Sequence, residues 1–231
     1  MTEIELWNLQ HIDLLADLSA TEIEAVLDAV SVETFEPGEF VIAPSSRSDR
    51  LYLLYHGRVK SFVVTKQGQE KILHIFSSGD AFGDLLLEPA TIERPCVQAL
   101  DEVVLLTMDE DTFKRLIQAV PQVALNLCRY MAAHHAADVR RLRSFIHTKA
   151  IYRLVLMLLE LGDQLGQSEA EYITFNANFT HADLANMIGV ARGTASELLS
   201  ELRRAGIISG KGRELIIHRR AAQRFLEEGN V

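Results

Sequence analysis

FTHADLANMIGVARGTASELLSELRRAGIISGKGRELIIH, residues Phe179–His218, decides how this chain is read. Thr180 is a good helix N-cap, and Asp183 stands three residues on, where an acidic side chain reaches back to the cap. The helix that follows presents Leu184, Met187 and Ile188. Gly189 ends it, because the left-handed backbone past a helix C-terminus suits glycine. Val190 places an apolar residue inside the turn. A second helix starts near Ala191 and turns Ala195, Leu198, Leu199 and Leu202 inward. Its other side shows Arg192, Gly193, Thr194, Ser196, Glu197, Ser200 and Arg203. Two short helices joined by a glycine-containing turn form a helix-turn-helix. Gly206 closes the second helix, and ISGKGRELII (Ile208–Ile217) folds back as a wing with Lys211 and Arg213 at its tip. Small residues flanked by arginine, and a basic hairpin tip, suit close approach to a polyanion. An ordinary corner between two helices is the plainer alternative.

Moving toward the N-terminus, Thr148–Gly162 reads as another helix, followed by a polar linker, DQLGQSEAE (Asp163–Glu171). A long helix without a breaker runs from Pro121 to about Ile146, with proline in the first turn, where its missing N–H has no partner to lose. Ala124, Met131, Asp138 and Phe145 form one seven-residue row on it, and Cys128, His135 and Leu142 form the other. Alternating steps of four and three are the spacing of a coiled-coil seam, here with a polar middle. Before it, DTFKRLIQAV makes a short helix capped by Asp109 or Asp111.

Between Ser31 and Met108 the period is that of strands. FVIA (Phe40–Ala43), LYLLY (Leu51–Tyr55), VKSFVV (Val59–Val64), KILHIF (Lys71–Phe76), CVQAL (Cys96–Leu100) and VVLLTM (Val103–Met108) are short β-rich runs. Glycines at 38, 57, 68 and 79 punctuate them. Regular turn signals between short strands predict an antiparallel roll of about eight strands. Residues 2–30 read as helical, with Ser19 and Glu22 as the capping box of a second short helix. The fold class is therefore α+β: N-terminal helices and a β-roll over 1–120, the long helix over 121–147, and the helix-turn-helix with its wing over 148–231.

Composition bounds the function. The chain has 231 residues, a net charge of −9 and 48% apolar residues, which is globular. Residues 1–139 hold 10 basic and 22 acidic side chains, whereas 140–231 hold 13 and 10, so the two parts suit different partners. The longest apolar run, LVLMLL (Leu154–Leu159), is far short of the roughly 20 residues that span a bilayer. The N-terminus lacks a basic segment followed by an apolar core, so no secretory signal is read and the expected location is the cytoplasm. Cys96 and Cys128 are dispersed and read as two buried thiols. A cupin-like metalloenzyme would need an H-x-H pair, and the roll has only isolated His56 and His74, so no enzyme is expected.

FEPGEFV, LYLLYHGRVK, GQEKILHIFSSGDAFGD and IGVARGTASELLSELRRAGII together resemble the Crp/Fnr family of dimeric transcription regulators, from about Leu14 to Arg220. The resemblance implies a cyclic-nucleotide-binding-domain-like jelly roll, a dimerisation helix and a winged helix-turn-helix. It implies as partners double-stranded DNA with a pseudo-palindromic operator, a second copy of the chain and, for an activator, RNA polymerase; no membrane is implied. The residues expected at DNA are Thr180, Arg192, Gly193, Thr194, Ser196, Glu197, Arg203, Lys211 and Arg213. In the family's recognition helix a Glu stands where this chain has Gly193, and an Arg where it has Glu197. A carboxylate accepts, so Glu197 favours cytosine N4, and the half-site differs from TGTGA or TTGAT.

The ligand pocket implied by the resemblance involves His74, Gly83, Asp84, Arg94, Pro95, His135 and Asp138. Gly83 and Arg94 match the cassette that holds a cyclic phosphate. Asp84 replaces its Glu, and Pro95 replaces a Ser and brings neither hydroxyl nor N–H. Asp138-Val139 stands where cyclic AMP binders have Thr-Ser. These changes disfavour cyclic AMP. A carboxylate at Asp138 suits the paired N1–H and N2–H donors of guanine, as in cyclic GMP. A vestigial pocket, with DNA binding independent of any effector, remains the alternative. An iron–sulfur cluster needs more cysteines, and haem finds no ligand pattern among His11, His74, His134 and His135, so no resident cofactor is assigned.

Overall fold

The computed structural model describes residues 9, 11–44, 46, 48–65, 68, 70–83, 95–147, 149–165, 167–168, 171–176, 179–210 and 214–228. The chain divides into two compact units, residues 1–63 with 73–138, and residues 64–72 with 139–231.

Of the residues 2–30 read as helical, 2–8 and 10 lie outside the described residues. A 3-10 turn covers Asp13–Leu15, and α1, the expected second short helix, spans Ala20–Leu27. Ser19 is its N-cap, as expected. Its backbone is extended, and it forms a full capping box in which Ser19 N–H donates to the Glu22 carboxylate at 2.8 Å.

Among the described residues eight strands follow: β1 (Ser31–Phe35), β2 (Phe40–Ile42), β3 (Arg50–His56), β4 (Arg58–Val64), β5 (Glu70–Ser77), β6 (Ala81–Gly83), β7 (Cys96–Ala99) and β8 (Val103–Asp109). They form two sheets, in the orders β1-β8-β3-β6 and β2-β7-β4-β5. The apolar runs LYLL and VVLLTM are explained by period-two alternation between two cores. Tyr52 and Leu54 of β3, with Val103 and Leu105 of β8, join Ile42, Val59, Phe82 and Val97 in one cluster. The intervening Leu51, Leu53, Leu106 and Met108 pack with Leu14, Ile23, Val26, Phe113 and Leu116 in another. A strand buried on both faces has no polar side to show, so it reads as continuous hydrophobicity.

Asp109 caps α2 (Glu110–Ala119) through a 2.8 Å bond from Thr112 N–H. Helix α3 then runs Pro121–His147. Asn126 fixes its start: the buried Nδ2 donates to the carbonyls of Leu14 and Ala16 at 3.1 and 2.7 Å. Val123, Leu127 and Tyr130 pack on the roll side. The outward side carries Leu125, Met131, Val139 and Leu142, which are 47, 52, 42 and 63% exposed. Cys128 and His135 are exposed on the same side. Two expectations are thereby corrected. Cys128 is not a buried thiol, because its turn of α3 faces away from the roll, whereas Cys96 is buried in β7. Asp138 is not part of the outward row. Val139 takes that place, because Tyr130, His134 and Asp138, spaced by four, share the roll-facing side.

The second unit is built on α4 (Ala150–Leu165), α5 (His181–Ile188), α6 (Arg192–Arg204) and α7 (Arg219–Glu228). Its sheet has the order β11-β12-β10-β9, with β9 at Gln167–Ser168, β10 at Tyr172–Asn176, β11 at Ile208–Ser209 and β12 at Glu214–His218. The segment read as a linker thus contains β9 and leads into β10. Ile173 of β10 pairs with Ile217 of β12, and both are buried, with Leu154, Val155, Leu158, Leu199 and Leu202. The α+β class and the order of elements agree with the sequence reading.

Candidate functional site: a nucleic-acid interface and a roll–helix cluster

The helix-turn-helix is assembled from local rules. Thr180 Oγ1 accepts from Asp183 N–H at 3.1 Å, and the Asp183 carboxylate accepts from Thr180 N–H at 2.8 Å. This reciprocal cap starts α5. Gly189 ends it in the left-handed conformation, φ 72°. Val190 N–H then returns to the Ala185 carbonyl at 3.0 Å, which tightens the turn. Arg153 of α4 donates through Nε to the Ile188 carbonyl at 3.1 Å and satisfies one of the acceptors that every helix end leaves open. Ala195, Leu199 and Leu202 are at most 1% exposed, so one side of α6 is fully used in packing.

The other side of α6 faces outward. Arg192, Gly193, Thr194, Glu197 and Arg203 are exposed, as is Thr180. Ser196 is half-buried and donates its hydroxyl to the Arg192 carbonyl at 3.1 Å. A Cβ at Gly193 would meet nothing within 4 Å, so no neighbour within the fold requires glycine there. Ala191 supplies no side-chain cap, in keeping with its lack of a hydroxyl. Lys211 and Arg213 of the wing tip lie outside the described residues.

In the first unit, β5, β6 and α3 bring together side chains that are distant in sequence. Tyr52 stacks on Phe82 at 5.1 Å between centroids, Phe82 on Phe76 at 5.2 Å, and Phe76 on His74 at 5.7 Å. His74 Nε2 lies 3.4 Å from Asp138 Oδ1 of α3. His134 packs on Tyr130 at 4.1 Å, and its Nε2 is 3.9 Å from Asp80 Oδ1. Tyr130 Oη donates to the Ala81 carbonyl at 2.7 Å and accepts from Ala81 N–H at 3.1 Å, clamping α3 to the start of β6. Burial raises the Asp80 carboxyl above the usual range, although Ser77 N–H donates to it at 2.8 Å. Burial also pushes the Tyr130 phenol well above its ordinary value, with the Asp80 charge adding to the shift.

Of the expected pocket residues, His74 and Asp138 meet. Gly83 has φ 128°, and a Cβ there would sit 2.2 Å from the Arg50 carbonyl, so the close pairing of β6 with β3 requires glycine. Pro95 is half-buried just before β7. His135 is exposed on the outward side of α3, and it is His134 that faces the roll. Asp84 and Arg94 lie outside the described residues. Asp80, Phe76, Phe82, Tyr130 and His134 were not anticipated as a cluster. Two sequence signals pointed to it: the alternation His74–Phe76 on β5 and the four-residue steps Tyr130–His134–Asp138 on α3. Among the described residues no group of three or more His, Cys, Asp or Glu side chains could hold a metal.

Comparison with known proteins agrees with both halves of this description. Residues 32–120 match the cyclic nucleotide-binding domain, and residues 152–223 match the Crp-like helix-turn-helix domain. The CRP-like cAMP-activated global transcriptional regulator of Mycobacterium tuberculosis is 24% identical over 209 residues, covering 90% of this chain and 93% of that protein. The solved structure of a CooA mutant from Carboxydothermus hydrogenoformans has a TM-score of 0.74 at 18% identity, covering 98% of this chain and 97% of that one. The c-di-GMP responsive global regulator CLP of Xanthomonas campestris has a TM-score of 0.73 at 17% identity, covering 87% and 99%. With a cyclic nucleotide-binding roll before a Crp-like helix-turn-helix, in the order its relatives share, this chain belongs to the Crp/Fnr family of DNA-binding transcription regulators.

Proposed function

We propose that the protein works in the cytoplasm as a homodimer joined along α3, and that it binds a pseudo-palindromic operator with half-sites about one helical turn apart. The observation that carries this reading is the outward row of α3, where Leu125, Met131, Val139 and Leu142 are exposed. Leu125, Cys128, Met131, His135, Val139 and Leu142 follow one another at steps of three or four residues, the spacing of a two-stranded seam. Burying such side chains contributes on the order of 1.5–3 kcal/mol each. Arg192, Thr194, Glu197 and Arg203, with Thr180, Gly193 and Ser196, form the DNA face, and the sequence adds Lys211 and Arg213 as basic DNA contacts. RNA polymerase is a further partner if the protein activates.

The roll is the sensor. A ligand with a flat ring and paired donors fits the aromatic series of Phe82, Phe76 and His74 next to the Asp138 carboxylate. This favours a guanine nucleotide over an adenine one. By binding one state of the roll and α3 better than another, it shifts the DNA-competent population. DNA anisotropy with and without cyclic AMP, cyclic GMP and cyclic di-GMP tests the sensor. Tighter binding of cyclic AMP than of either guanine ligand would refute the guanine reading. Light scattering of the Met131→Asp variant tests the seam: it is expected to be monomeric and to lose operator affinity by about 100-fold or more, since two buried contacts are lost per dimer. A variant that stays dimeric places the interface elsewhere.

A further inference from the structure

His181 is the first residue of α5, and its exposed ring has no part in the helix cap, which Thr180 and Asp183 complete between themselves. Its Nδ1 lies 2.8 Å from Ser196 Oγ on α6. Ser196 Oγ also donates to the Arg192 carbonyl, 3.1 Å away. A serine hydroxyl has one proton and two lone pairs. With its proton given to Arg192, the hydroxyl meets the ring as an acceptor. Both bonds form together only when Nδ1 carries a hydrogen, which leaves Nε2 bare in the neutral ring. Arg192 in turn is the first residue of α6, so this chain of bonds ties the start of the first helix to the start of the second.

We propose that His181 is a positioning residue for DNA recognition. Through Nδ1 it holds Ser196 and the first turn of α6, and thereby sets how Arg192 is presented. Ser196 is on this account used inside the protein and reads no base, contrary to its place among the expected DNA contacts. The proposal rests on α6 being the recognition helix.

Asparagine places an amide donor near the position of Nδ1, and glutamine places one near Nε2, so His181→Asn keeps a donor for Ser196 and His181→Gln does not. Anisotropy on an operator selected from random DNA and on a scrambled duplex reads the difference. The ratio of operator to scrambled affinity is expected to fall about fivefold in Ser196→Ala and in His181→Gln, the size of one lost hydrogen bond. It is expected to hold in His181→Asn, and to fall no further in the His181→Ala/Ser196→Ala double variant, because the two groups act as one unit. An unchanged ratio in Ser196→Ala, or additive losses in the double variant, overturns the positioning role. A parent that binds neither duplex overturns the DNA-binding reading of α6 itself, and this result is distinct from the first. Thermal melts of all four variants check that any change in ratio comes from a folded protein.

Discussion

The helix-turn-helix and the roll–helix cluster both gather polar side chains, but they satisfy them over different distances. In the helix-turn-helix, Thr180 and Asp183 cap each other across three residues, and Ser196 reaches Arg192 across four. At the roll, Tyr130 meets Ala81 across 49 residues, and His74 of β5 meets Asp138 of α3, with β6, β7, β8 and α2 between them in the chain. The first arrangement survives as long as its own helices do. The second exists only when the whole unit has folded, so it is the more exposed to a single change and the better placed to respond to a ligand.

Tyr130→Phe tests that difference most directly. It removes the hydroxyl that serves both polar groups of Ala81, so urea melts are expected to show a loss of about 1–3 kcal/mol in the roll. DNA affinity of α6 for a single half-site is expected to stay within twofold. A loss under about 0.5 kcal/mol, the scale of an ordinary surface change, would mean the clamp carries no weight. Thr180→Ala is the counterpart in the other unit, where losing the cap is expected to cost about 1 kcal/mol and to be recovered largely by Ser. If Ser fails to recover it, the cap is not the reason Thr180 matters.

Gly193→Ala is expected to act in the opposite direction. With open space around it, a Cβ stabilises α6 by about 0.5–1 kcal/mol, and a drop in operator affinity alongside the higher melting temperature would place DNA close to that position. Unchanged affinity would remove Gly193 from the interface. The smallest expected effect is in pH. Burial raises Asp80 above the unfolded carboxyl, so its contribution to stability is complete below the usual aspartate range and is lost as pH rises through the raised value. Asp80→Asn keeps an acceptor for Ser77 and cannot ionise, so its advantage over the parent should grow from acid to neutral pH. Parallel stability curves would show that Asp80 is not the group responsible.

The same contrast explains what could be read from the sequence. Caps, turn glycine and buried stripe of the helix-turn-helix lie within a few residues of one another, and they are where the reading placed them. The apolar runs LYLLY and VVLLTM were legible because β3 and β8 are buried on both faces. SVETF of β1 and AFG of β6 were not, being polar in alternation or very short. On α3 the heptad spacing located Cys128, His135 and Leu142 but set the row one residue off at Asp138. The phase of a helix against its neighbour is fixed by Val123, Asn126 and Tyr130 meeting the roll, which no periodicity contains. The pairing of Asp80 with His134 needed the fold itself.

Gly83 has a consequence for searches among related sequences. Because the Arg50 carbonyl occupies the space a side chain would need, glycine is demanded at that position by the strand pairing alone, whether or not the roll holds an effector. A motif search that scores this glycine as a signature of nucleotide binding therefore counts a mark of architecture as a mark of chemistry. Discrimination between sensing and non-sensing members has to come from positions the strands leave free to vary.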